Sequence, residues 1–165
     1  MITARHIFGF IGASSVSLIS FALFLQYTHN IEPCPMCIIQ RYTFSLIGVI
    51  ALIVFFHNPS RLGIKLYSLL ITVLSILGAG VAMRHVYLET FPPEMFDCGA
   101  DLGYLIDAFP LTQMLPMIFR GTGDCSDVLW RFMGLSIAGW ALLWFFVFAG
   151  LTLFTLMVKQ DNTVK

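Results

Sequence analysis

Charge is missing from four long stretches of this chain, and nothing else in the sequence restricts its fold as tightly. Between one ionised side chain and the next, residues 7–30, 42–60, 66–83 and 132–158 contain no Asp, Glu, Lys or Arg. A hydrocarbon core of roughly 30 Å takes about 20 helical residues, so each stretch can cross one. The chain is 58% hydrophobic and 11% charged, whereas a soluble domain carries about 25% charged residues. Too little polar surface remains to cover a water-facing fold, and disorder is excluded on the same grounds. Nine Lys and Arg balance nine Asp and Glu, and no basic run exists, so a nucleic-acid partner is excluded too.

The expected architecture is an all-α membrane protein, a single integral membrane domain over 1–165. Its four-transmembrane-helix bundle has spans at about 7–27, 38–56, 64–83 and 134–158. Two extracytoplasmic loops are expected, at about 28–37 and 84–131. The second span should start near Cys37 or Ile38, end by Phe56 before His57-Asn58-Pro59, and carry Arg41 one turn inside its first end. Although Arg5 and His6 precede the first apolar run, that run is too long for a signal peptide and has no small-x-small cleavage site after it. Its Gly9, Gly12, Ser14, Ser17 and Ser20 suit close packing against another helix in lipid.

An even number of spans puts both termini on one side. That side then holds Arg5, Arg61, Lys65, Lys159 and Lys165 against one acid, Asp161. The other side holds Arg41, Arg84, Arg120 and Arg131 against Glu32, Glu89, Glu94, Asp97, Asp101, Asp107, Asp124 and Asp127. The base-rich side should be cytoplasmic.

All four cysteines then fall in the extracytoplasmic loops, Cys34 and Cys37 in the first, Cys98 and Cys125 in the second. That is the distribution of disulfides in an oxidising compartment. Three pairings are open, and Cys34 with Cys37 plus Cys98 with Cys125 is the simplest by proximity. A Cys-x-x-Cys ring is small and removes little chain entropy, so it makes a poor staple. A zinc ribbon would want two such knuckles, and no metal is expected. Pro33 and Pro35 fix the backbone around Cys34, and Cys37 falls in the first turn of the second helix, where the helix dipole favours a thiolate. Arg41, four residues on, stacks below Cys37 on the same face. Snorkelling to the headgroups is the plain alternative for that arginine, yet an intramembrane charge costs about 3 kcal/mol and usually has a function.

If thiols elsewhere are oxidised through these cysteines, two electrons must leave in each cycle. Gly78-Ala79-Gly80 lies inside an apolar helix with no preceding strand, so it reads as a packing face and not a dinucleotide fingerprint. A lipid-soluble quinone, delivered by the bilayer, fits what remains and would meet Cys37 and Arg41 at the interface. His85, next to Arg84 at the end of the third span, could bond its carbonyl. In the second loop Leu111, Met114, Leu115 and Ile118 form an apolar helical stripe, limited by Pro116, that predicts a short interfacial helix.

These motifs taken together resemble the disulfide-bond formation protein B family. The carriers are Pro33-Cys34-Pro35-Met36-Cys37 with Arg41, then Arg84-His85 thirteen residues before Cys98, then Phe109-Pro110-Leu111 leading to Gly123-Asp124-Cys125. The resemblance implies a bacterial inner-membrane thiol:quinone oxidoreductase with both termini cytoplasmic and its cysteine loops periplasmic. It would reoxidise a periplasmic thioredoxin-like dithiol oxidase (DsbA-like) and pass the electrons to ubiquinone or menaquinone. Cys98 would form the mixed disulfide with the oxidase, and Cys125 would be its resting partner. Cys34 would exchange with that pair, Cys37 would sit against the quinone, and Arg41 and His85 would be the quinone's polar contacts. Two other readings remain: a vitamin K epoxide reductase-like enzyme, which would place its loop cysteines before the Cys-x-x-Cys, and a non-enzymatic tetraspan scaffold with stapled loops.

Overall fold

The structure, a computed structural model, describes residues 4–29, 34–91 and 131–157. Among them are four helices long and apolar enough to cross a membrane: α1 (Ala4–His29), α2 (Pro35–His57), α3 (Arg61–Thr90) and α4 (Ile137–Met157). A two-stranded antiparallel hairpin, β1 (Arg131–Phe132) with β2 (Leu135–Ser136), precedes α4. Cys98, Cys125 and the expected interfacial helix around Leu111 to Ile118 lie outside the described residues.

The helix ends differ from the sequence expectation, each for a local reason. Helix α2 begins at Pro35, not near Cys37, because proline's fixed φ and missing N–H suit a first helical position. Cys34 is its N-cap, and its sulfur accepts the Cys37 backbone N–H at 3.3 Å. At the other end Asn58 adopts a left-handed conformation (φ 45°) and its N–H bonds the Val54 carbonyl at 3.0 Å. Pro59 and the Ser60 cap then start α3 at once, at Arg61 instead of 64. Helix α3 runs on through Thr90, past the expected end at 83, since nothing from Arg84 to Glu89 breaks a helix. Its 30 residues span about 45 Å, longer than a hydrocarbon core. Helix α4 starts at Ile137 and not 134, because Met133 and Gly134 take positive φ (52° and 83°) and close the hairpin. Ser136 caps it, accepting the Gly139 N–H at 3.1 Å.

Helix α3 packs along α4, α1 along α2, and α2 along α3. Phe44 of α2 reaches across to α4, stacking on Phe145 (centroids 4.1 Å apart) and meeting Phe148 edge-on at 5.9 Å. Large apolar side chains such as Phe10, Phe24, Leu46, Leu69 and Phe154 face outward, while Ser15, Ser68, Thr72, Ser75, Thr152 and Thr155 are buried. That inversion of the soluble pattern is what lipid as solvent requires. Ser68 bonds Thr155 at 2.9 Å and Thr72 bonds Thr152 at 2.7 Å, tying α3 to α4. Part of the expected small-residue packing forms: a Cβ on Gly9 would come within 2.9 Å of Phe55, one on Gly12 within 2.8 Å of Leu52 and one on Gly78 within 2.5 Å of the Phe145 ring, whereas Ser17 and Ser20 are exposed and Gly80 faces open space. This multi-pass bundle brings the C-terminal ends of α1 and α3 beside the N-terminal end of α2, and the start of α4 joins them through Ser136, which bonds Glu89.

Candidate active site at the Cys34–Cys37 pair

Two prolines and a helix start place the first two thiols. With Cys34 at the cap of α2 and Cys37 one turn later, both side chains emerge on one side of the helix end, their sulfurs 3.2 Å apart. That exceeds the roughly 2.05 Å of a disulfide bond by little enough for the bond to form with minor side-chain rotation. Cys34 is buried in a small apolar nest with Met36 and Leu88, while Cys37 is half-buried.

Helix α3 supplies the third member. Because α3 continues through Thr90, His85 faces inward and is buried, with Nε2 3.6 Å from the Cys34 sulfur. The other ring nitrogen, Nδ1, lies 3.3 Å from Gln40 Nε2 on α2. Glu89, one turn beyond His85, holds an oxygen 3.8 Å from Nε2 and accepts from Ser136 at the start of α4. Cys34, Cys37 and His85 offer ligand atoms within 4.8 Å of one another, three donors among the described residues where a closed structural zinc site takes four. A thiol beside a buried imidazole is also the arrangement that controls thiolate formation.

Arg41 lies on α2 one turn past Cys37, and its Nη1 donates to Gln26 Oε1 of α1. The structure therefore brings together Cys34, Cys37 and His85, and places Arg41 against α1. Arg84, next to His85, turns its guanidinium over the Tyr87 ring at 5.3 Å. Sequence reasoning passed over Gln26, Gln40 and Glu89. Gln26 had a readable signal, being a strong hydrogen-bonding group inside a charge-free window, whereas Gln40 precedes Arg41 and lies outside all four windows.

The chain matches the family model described as Disulfide bond formation protein DsbB over residues 4–155. It belongs to the DsbB family. It is 47% identical over 156 residues to Disulfide bond formation protein B of Azoarcus sp. (strain BH72), covering 94% of both chains. It is 45% identical over 141 residues to the protein of that description from Aromatoleum aromaticum, covering 86% of this chain and 85% of the relative. Identity to the counterpart from Methylobacillus flagellatus is 40% over 154 residues, covering 93% and 90%. This DsbB-family chain is thus a disulfide-forming oxidoreductase of the membrane, and the Cys34–Cys37 pair is its candidate redox centre.

Proposed function

We propose that this protein reoxidises a periplasmic thioredoxin-like dithiol oxidase by disulfide exchange and passes the electrons to a membrane quinone, sustaining disulfide formation in other proteins. The observation that carries this reading is the Cys34–Cys37 pair, two sulfurs 3.2 Å apart at a helix start, with a buried imidazole 3.6 Å away. Exchange needs a pair that closes and opens with little backbone movement and a nearby group that tolerates the thiolate, and these residues supply both.

Electrons enter at the second loop. The oxidase's dithiol attacks the resting Cys98–Cys125 disulfide at Cys98, which forms the mixed disulfide and releases Cys125 as a thiolate. The oxidase's second thiol then resolves that bond, so the oxidase leaves as a disulfide and Cys98 and Cys125 remain as a dithiol. The second-loop dithiol then reduces Cys34–Cys37 by exchange at Cys34, which leaves Cys37 as a thiolate. Arg41 on α2, whose guanidinium has N–H groups beyond the one given to Gln26, and the ring of His85 on the neighbouring α3 would be the quinone's polar contacts. A bound quinone, ubiquinone or menaquinone, supplies a two-electron, two-proton sink. Arg41 cannot lose its proton, so it favours both a Cys37 thiolate and an acceptor oxygen gaining negative charge. The distribution of bases supports an orientation with both termini in the cytoplasm and the cysteine loops in the periplasm, and the family relationship supports the bacterial inner membrane as the site.

A relay exchanges partners and a staple does not. In the full chain, Cys125→Ser should leave Cys98 able to trap the soluble oxidase as a mixed disulfide, and Cys98→Ser should abolish that adduct, as seen on non-reducing gels. No adduct in either variant would make the bridges staples, and equal trapping through Cys125 without Cys98 would reverse their roles.

A further inference from the structure

Gln40 has no part in the reading above, yet it is among the most buried polar groups of the protein. It is 4% exposed on a face of α2 otherwise made of Pro35, Met36, Phe44 and Ile47. An amide placed there without a partner would be costly, so its bond to His85 is demanded by burial. Gln40 presents its NH2 group, which only donates, 3.3 Å from His85 Nδ1. Nδ1 must then accept. The neutral ring carries its one proton on Nε2, and Nε2 stands 3.6 Å from the Cys34 sulfur and 3.8 Å from Glu89 Oε1.

We propose that Gln40 is a positioning residue of the redox centre: its amide fixes the His85 tautomer whose Nε2–H points at Cys34 and stabilises the thiolate that Cys34 becomes during exchange. The inference rests on the reading that Cys34–Cys37 is the exchanging pair. When a second-loop thiolate resolves the mixed disulfide between Cys34 and the other loop cysteine, the loop disulfide forms and the bond to Cys34 breaks. Cys34 departs with the bonding electron pair. No proton moves in this step, because the Nε2–H hydrogen bond and the Cys37 backbone N–H, 3.3 Å from the same sulfur, stabilise the new charge. A better-stabilised leaving thiolate leaves faster. Among the described residues, the ionisable groups that face Cys34 include Cys37 on α2 and His85 on α3, with Glu89 reaching His85 and itself under the influence of Ser136 and Arg131 ahead of α4. Glu89 competes with Cys34 for the Nε2 proton, and the bond from Gln40 on the neighbouring helix is what orients the ring against that pull.

The test follows the thiolate and not turnover. In the full chain with Cys37, Cys98 and Cys125 replaced by Ser, Cys34 is the remaining thiol, and its ionisation is read from thiolate ultraviolet absorbance during a pH titration. Gln40→Met should lower the thiolate population below the midpoint by about tenfold, the value of one hydrogen bond to a charged acceptor. His85→Phe should lower it at least as much, and adding Gln40→Met to His85→Phe should change nothing more, because Gln40 acts only through the ring. Gln40→Glu, whose carboxylate accepts from Nδ1–H and stabilises the imidazolium, should move the titration the opposite way, with thiolate persisting to lower pH. An unchanged titration in Gln40→Met, additive losses in the double variant, or a Glu variant that behaves like Met would each overturn the proposal. If this pattern holds while Cys98 traps no oxidase, the exchange reading fails and the positioning role stands.

Discussion

Arg41 carries a permanent charge at the edge of an apolar window and is held by two helices, its own α2 and, through Gln26, α1. If it binds the electron acceptor, Arg41→Met removes a charge-assisted hydrogen bond of about 1.5–3 kcal/mol, which raises the apparent KM for quinone roughly ten- to a hundredfold. Arg41→Lys should restore the charge but not the fork geometry, and so recover only part of the loss. Trapping of the oxidase through Cys98 should be unaffected. Measuring quinone reduction and trapping in parallel separates the outcomes: an unchanged quinone dependence reduces Arg41 to a snorkelling residue, and a loss of both activities shows damage to the helix. Arg41 was legible in the sequence because a charge beside a charge-free run stands out. Gln26 and Gln40 were harder to find, because reading the chain from charge to charge skips neutral amides. His85 was legible as a polar group near a span end, but its 3.6 Å approach to Cys34 was not, since 51 positions separate the two.

The glycines of α3 show which contacts a helix depends on. Gly78 and Gly80 stand in one small-residue motif, yet a Cβ on Gly78 would come within 2.5 Å of the Phe145 ring, while one on Gly80 would meet nothing within 4 Å. Gly78→Ala should therefore destabilise the bundle by about 1–3 kcal/mol through overpacking. Gly80→Ala should leave it unchanged or stabilise it by about 0.5–1 kcal/mol through helix propensity. Thermal unfolding in detergent checks both, and Phe145→Leu should rescue Gly78→Ala if the ring is the obstacle. Equal effects of the two alanines would mean that α3 and α4 do not pack along this line. The motif alone announced a close approach without saying which glycine makes it, because that depends on how α3 is rotated against α4. The same rotation turns Thr72 onto Thr152 and His85 onto Cys34.

The orientation of the whole molecule rests on five bases against one acid on the side of the termini. Tags at Asn58 and Lys165 should be protected from impermeant reagents in intact spheroplasts, and a tag at Glu94 should react. Reaction at Asn58 would invert the topology and remove Cys34 and Cys37 from the periplasm. Hydropathy, charge spacing and cysteine positions were sufficient by themselves to determine four membrane helices, their order and the presence of a Cys-x-x-Cys at the start of the second. Those properties are local: burying a backbone in lipid requires about 20 apolar residues in a row, and a proline-flanked thiol pair needs only its neighbours. Where the helices end was decided by capping and turn geometry, by Cys34 on α2, by Asn58 in its left-handed turn and by the Met133-Gly134 hairpin, each of which moved a boundary by a few residues. The environment of the thiols was decided only by tertiary packing. Whether Cys34 meets an imidazole, and which proton that imidazole carries, depends on the register of α2 against α3, and that register is set by side-chain contacts between residues distant in the chain.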